Sequence, residues 1–91
     1  MYSPDFTNQF KKDFKKCKKR GLSESLLQDI VGKILKGEPL PPKNREHKLI
    51  GNYADCTECH IKPDWLLIYI IDEDAKRVEF VRTGTHSDLF K

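Results

Sequence analysis

His60-Ile61-Lys62-Pro63-Asp64-Trp65-Leu66-Leu67-Ile68-Tyr69-Ile70-Ile71 decides how this chain folds. The Pro63-Asp64 step reads as a turn, because proline withdraws a backbone donor and aspartate bonds its own turn. Trp65 to Ile71 is short and apolar, the pattern of a buried strand, and Tyr53 to Ile61 before the turn reads as its neighbour. Beyond it, Asp72-Glu73-Asp74-Ala75 marks a second turn and Arg77 to Thr83 a third strand. Connections this tight make the three strands antiparallel neighbours. Alternation places Glu58 and His60 opposite Cys59 and Ile61, and places Val78, Phe80 and Arg82 opposite Glu79 and Val81.

Upstream the period is helical. Phe6, Phe10, Phe14 and Cys17 recur at three- and four-residue spacing, which predicts a helix from about Asp5 to Arg20 with one narrow apolar stripe, stopped by Gly21. Ser23 suits the N-cap of a second helix, whose Leu26, Leu27, Ile30, Val31, Ile34 and Leu35 fill one face until Gly37 takes the C′ position. Two helices joined by two or three residues form an antiparallel hairpin. Met1-Tyr2-Ser3 reads as a short first strand. Pro39, Pro41 and Pro42 force an extended loop that runs through Asn44 and Arg45 to His47. The expectation is a single α+β domain over residues 1–91: a short strand and a helical hairpin packed on one face of an antiparallel sheet, in the order β-α-α-β-β-β.

A chain of 91 residues makes one domain with a small core, and permanent association with a partner would suit it. No apolar run is long enough to span a bilayer, and the first residues have neither a basic n-region nor an apolar h-region. The expectation is a cytoplasmic protein that makes no use of a membrane, with three reduced cysteines. The net charge of +3 is unevenly spread: residues 1–50 carry twelve Lys/Arg against six Asp/Glu, and residues 51–91 carry five against eight. On the first helix Lys11/Lys15/Lys19 and Lys12/Lys16/Arg20 form adjacent i, i+4 rows. Such a stripe can track a phosphate backbone, or simply be a solvated face.

The free face of the sheet is where chemistry gathers. RNA carries its own nucleophile in the 2′-hydroxyl, so cleavage needs a base for that proton, an acid for the departing 5′-oxygen and a cation for the phosphorane. Histidine serves both transfers because its ordinary pKa of about 6.5 lies near working pH. His47 follows the prolines, His60 lies on the first long strand and His86 just beyond the last, and a compact sheet can bring all three to one face. Arg82 can hold phosphate oxygens as a bidentate donor, or pair with a carboxylate such as Glu58. Asp64 suits an acid, an orienter of histidine, or the cap of a turn. Trp65 and Phe90 can stack on bases, although a single Trp in a small domain is commonly core.

His60-Ile61-Lys62-Pro63-Asp64-Trp65-Leu66-Leu67-Ile68-Tyr69, then Arg82-Thr83-Gly84-Thr85-His86-Ser87-Asp88-Leu89-Phe90, resembles the YafQ branch of the RelE/ParE toxin superfamily. His47-Lys48-Leu49-Ile50-Gly51 resembles that branch's His-x-Leu-x-Gly segment, and the order of elements agrees over nearly the whole chain. The resemblance implies a RelE-like fold and a ribosome-dependent mRNA interferase, the toxin of a type II toxin–antitoxin pair, cutting mRNA in the ribosomal A site without cofactor or metal. It also implies a small cognate antitoxin as partner. By motif, His86, His60, Asp64 and His47 match catalytic positions, and Arg82, Trp65, Phe90 and Glu58 match substrate contacts. Lys11, Lys12, Lys15, Lys16 and Lys19 would meet the RNA backbone of the ribosome. This chain departs from the branch at Cys56-Thr57, where relatives usually show an aromatic and then a basic residue.

Cys56-Thr57-Glu58-Cys59-His60 also satisfies the C-x-x-C-H pattern of haem attachment, but that chemistry belongs to exported proteins. On a strand the odd separation of Cys56 and Cys59 sends them to opposite faces, which argues against zinc. Two other function classes share the scaffold: a non-catalytic RNA- or ribosome-binding module, and a ParE-like toxin acting on gyrase. The three-histidine set argues for the nuclease.

Overall fold

The structure, a computed structural model, describes residues 1–53 and 55–90. Its elements run β1 (Ser3–Phe6), α1 (Asn8–Lys19), α2 (Glu24–Leu35), β2 (His47–Lys48), β3 (Thr57–Lys62), β4 (Trp65–Asp72), β5 (Arg77–Gly84) and α3 (His86–Leu89). The five strands form one sheet in the order β1-β5-β4-β3-β2. The expected α+β architecture is what forms, with one refinement of the sheet: β2 to β5 are antiparallel, whereas β1 joins β5 in parallel.

The first strand is Ser3–Phe6, later than the expected Met1-Tyr2-Ser3, because Ser3 to Phe6 pair with Arg77 to Phe80. Pro4 is tolerated there since β1 is an edge strand. The pairing delays α1 to Asn8, and Thr7 becomes its N-cap, with Oγ1 accepting from the Phe10 N–H at 2.9 Å and donating to the Val81 carbonyl at 2.8 Å. Gly21 and Gly37 take left-handed φ of 86° and 73° to end the two helices as expected. The proline loop returns as β2, where His47 and Lys48 pair with Glu58 and Thr57 of β3. The third strand starts at Thr57 rather than Tyr53, which lies in a 3-10 turn; Ala54 of that expected strand is outside the described residues.

Both helices cover one face, burying Phe10, Cys17, Leu27, Ile30 and Ile34 against Cys59, Trp65, Leu67, Tyr69, Val78 and Phe80. Phe6 stacks between Phe10 and Phe80, ring centroids 5.3 and 5.1 Å away. The other face is half covered: Cys56, Leu66, Ile68 and Leu89 form a second cluster, with Leu49, Tyr53, Ile70 and Val81 packed on it. Cys56 and Cys59 thus lie in separate clusters, as their odd spacing requires.

A bulge corrects the reading of β5. Ile68 pairs with Arg82 while Tyr69 pairs with Phe80, so Val81 has no partner and the alternation breaks. Val78 and Phe80 face the helices, Val81 joins the opposite cluster, and Arg82 is opposite Ile68 rather than in line with Phe80.

Candidate active site

At the end of the uncovered face three imidazoles stand in a row. Ring centroids of His47 and His60 are 6.4 Å apart, and those of His60 and His86 are 5.7 Å apart. Each comes from a different place. β2 carries His47 beside Glu58 in the ladder. Alternation on β3 turns Glu58 and His60 to the same face, and α3, which follows β5, brings His86.

His86 is held by Asp64, the second residue of the β3–β4 turn. Its Nδ1 donates to Asp64 Oδ1 at 2.6 Å and its backbone N–H to the same oxygen at 2.9 Å. Those two bonds keep the Asp64 carboxyl below the usual carboxylate range, the backbone bond first and the imidazole second. With Nδ1 occupied, Nε2 of this half-exposed ring is the nitrogen left to exchange protons. Thr85 and Asp88 build a capping box around the turn: the Asp88 N–H donates to Thr85 Oγ1, and the Thr85 N–H to Asp88 Oδ2. Gly84 is needed where it stands, since φ is 155° and a Cβ would meet Asp88 Oδ2 at 3.0 Å.

Glu58 is the hub of the other two imidazoles. Buried to 4% exposure, it places Oε1 at 3.3 Å from His47 Nε2 and 3.5 Å from His60 Nε2. Both Nδ1 atoms face backbone carbonyls, which only accept: His47 donates to Arg45 O at 2.8 Å, His60 to Pro63 O at 3.3 Å. Both Nε2 atoms therefore face a carboxylate, an arrangement that is attractive when a ring carries its second proton.

Other expected site residues sit differently. Arg82 is committed: Nε and Nη2 donate to Asp13 at 2.8 and 3.1 Å, and that pairing keeps the guanidinium firmly protonated. The pair uses Nε and Nη2, and the side chain stays 24% exposed. Trp65 is 1% exposed within the helix-side core and donates Nε1 to Thr83 Oγ1 at 2.9 Å, which leaves no ring face for a base. Phe90 is 43% exposed and meets Tyr53 edge-on at 5.8 Å, so it can still stack on a base. Lys11, Lys12, Lys15, Lys16 and Lys19 are all exposed on α1. Arg20 at its end grips Asp88 at 2.6 and 3.2 Å, joining the lysine helix to the His86 turn.

Sequence reasoning passed over Asp13, the only acid of α1, whose carboxylate also accepts the Thr83 N–H at 3.2 Å. It stands three residues after Phe10 and four before Cys17, in the apolar stripe, and a carboxylate at such a position signals a buried partner. Asn44 and Arg45 were passed over too. Asn44 Nδ2 holds the His60 carbonyl at 2.7 Å, and Arg45, at φ 48°, offers the carbonyl that orients His47. No three His, Cys, Asp or Glu side chains among the described residues are arranged to hold a metal ion.

A helical hairpin thus covers one face of a mixed sheet, and imidazoles and carboxylates gather at the open end of the other. Residues 2–91 match the sequence profile described as the bacterial toxin of the type II toxin–antitoxin system, YafQ. The chain belongs to the YafQ toxin family. It is 33% identical over 87 residues to the mRNA interferase toxin YafQ of Escherichia coli K12, covering 94% of this chain and 92% of that one. Among solved structures it resembles a metal-bound toxin from Helicobacter pylori at 40% identity and a TM-score of 0.93, over 99% of this chain and 100% of that one. It also resembles the E. coli DinJ–YafQ complex at 32% identity and a TM-score of 0.91, over the full length of both chains.

Proposed function

We propose that this protein is an mRNA interferase, the toxin of a type II toxin–antitoxin pair, which cuts ribosome-bound mRNA in the A site and so arrests translation. The observation that carries the reading is the row of His47, His60 and His86 with a carboxylate fixed to each end: Glu58 between the first two, Asp64 on the third. The 2′-hydroxyl attacks the adjoining phosphorus, its proton passes to one imidazole, and a second imidazole protonates the 5′-oxygen as that bond breaks. His86 is the first choice for one transfer, because Asp64 fixes its orientation and leaves Nε2 facing outward. The Glu58 trio takes the other, and an imidazolium there also meets the charge that builds on the phosphorane. These steps call on no metal or cofactor.

The lysine face of α1 supplies contacts to ribosomal RNA, and Phe90 stacks on an A-site base. A cognate antitoxin masks the protein, as in the complex formed by its E. coli relative. Among the described residues no helix is long and apolar enough to cross a membrane, and a ribosomal substrate places the action in the cytoplasm. The test adds the purified protein to a translation reaction on a defined mRNA and maps new 5′ ends by primer extension. Codon-phased breaks that need ribosomes and vanish with His86→Ala are expected. Breaks that survive His86→Ala would reject the role of His86, and no breaks at all would leave a binding protein.

A further inference from the structure

A cleft of about 440 Å³ opens against His60, lined also by Lys43, Asn44, Arg45, Lys62 and Pro63. Its three cations are exposed, and among the described residues none has a carboxylate within ion-pair distance. That sets them apart from Arg20 and Arg82, which Asp88 and Asp13 neutralise. Asn44, 3% exposed, gives its Nδ2 to the His60 carbonyl and so ties the cleft lining to β3.

Three uncompensated positive charges beside His60 match the phosphate of an RNA strand. We propose that this cleft seats the nucleotide adjoining the scissile linkage, its phosphate on Lys43, Arg45 and Lys62. The proposal rests on the nuclease reading. It gives the site a phosphate clamp, and the bond from Asn44 to the His60 carbonyl on β3 ties the filling of the clamp to the placement of His60.

The experiment measures cleavage on programmed ribosomes with mRNAs carrying one neutral methylphosphonate, set on a 2′-deoxy residue, at the linkage before or after the cut. The same 2′-deoxy residue with an ordinary phosphate is the control. With wild-type protein one of the two positions lowers the rate by about tenfold, the worth of one charge-assisted contact. In Lys43→Gln/Lys62→Gln that modification has little further effect, and Lys43→Arg/Lys62→Arg restores its cost. Thermal melts check that the exposed substitutions leave the fold intact. If the modification costs the same factor in both proteins, or nothing in the wild type, the subsite is wrong. If the variant is slower on every mRNA while the modification still costs the wild-type factor, the lysines hold ribosomal RNA instead, which also overturns the proposal. Either result leaves the nuclease reading standing, whereas wild-type protein that cuts no mRNA removes both.

Discussion

At the scale of single residues, the proposed mechanism divides the work between groups that would move protons and groups that hold them in place. His86→Ala should lower cleavage by roughly 10²- to 10⁴-fold, the usual worth of a positioned acid or base. Asp64→Asn should cost less, about 10- to 100-fold, and act on kcat rather than KM, because the ring remains while its orientation is lost. Asp64 sits below the usual carboxylate range, so it stays ionised wherever imidazoles titrate. Asp64 therefore does not set the acid limb of the pH–rate profile, and Asp64→Asn should leave that limb in place; a limb that disappears with this variant would make Asp64 the titrating group. Trp65→Phe separates packing from recognition. It deletes the donor to Thr83 and should cost about 1 kcal/mol, or roughly 4–8 °C in Tm for a domain of this size. Its cut sites should not change; an altered codon pattern with unchanged Tm would return Trp65 to the substrate.

At the scale of elements, α3 is a single turn that persists because three contacts converge on Asp88: Arg20, the Thr85 N–H and Lys16 at 3.5 Å. These contacts, Arg20 first, hold the Asp88 carboxyl far below its usual range. A depressed folded pKa means the contribution is fully present above the unfolded value of about 3.9 and fades as the pH falls from there. Asp88→Asn should therefore lower stability by about 1 kcal/mol at neutral pH, with a difference in Tm that shrinks as the pH is taken below about 4. A difference that is constant with pH would show that the charge is not what matters. The elements also mark where sequence ends as a guide. Periods of three to four and of two placed both helices and three strands, because those patterns record which face is buried. The parallel pairing of β1 was hidden, since Ser3-Pro4-Asp5-Phe6 shows no alternation and its partner lies more than seventy residues away. The bulge at Val81 was hidden for a related reason: a strand with an extra residue still alternates in sequence. Glu58 and His60 could be read as neighbours from their spacing on β3. The ion pair that ties Arg82 to α1 could not, although Asp13 in the apolar stripe hinted at it.

At the scale of the whole molecule, charge is segregated: the half that carries the lysines is strongly positive and the half that carries most of the catalytic row is negative. Ribosome binding by Lys11→Ala/Lys15→Ala/Lys19→Ala should weaken, and the slope of log affinity against log salt should flatten by about 0.7–0.9 for each phosphate that the helix no longer neutralises. An unchanged slope in a potassium chloride series would mean that this face merely solubilises the protein. His86 should remain fully able to exchange protons in that variant, because none of the three lysines touches the α3 turn.

The grip of Arg20 on Asp88 bolts the end of the lysine-bearing helix to the corner that presents His86. Under the interferase reading, the helix that docks and the corner that cuts share this joint, so the frame of the breaks would follow the docking pose and not the bases alone.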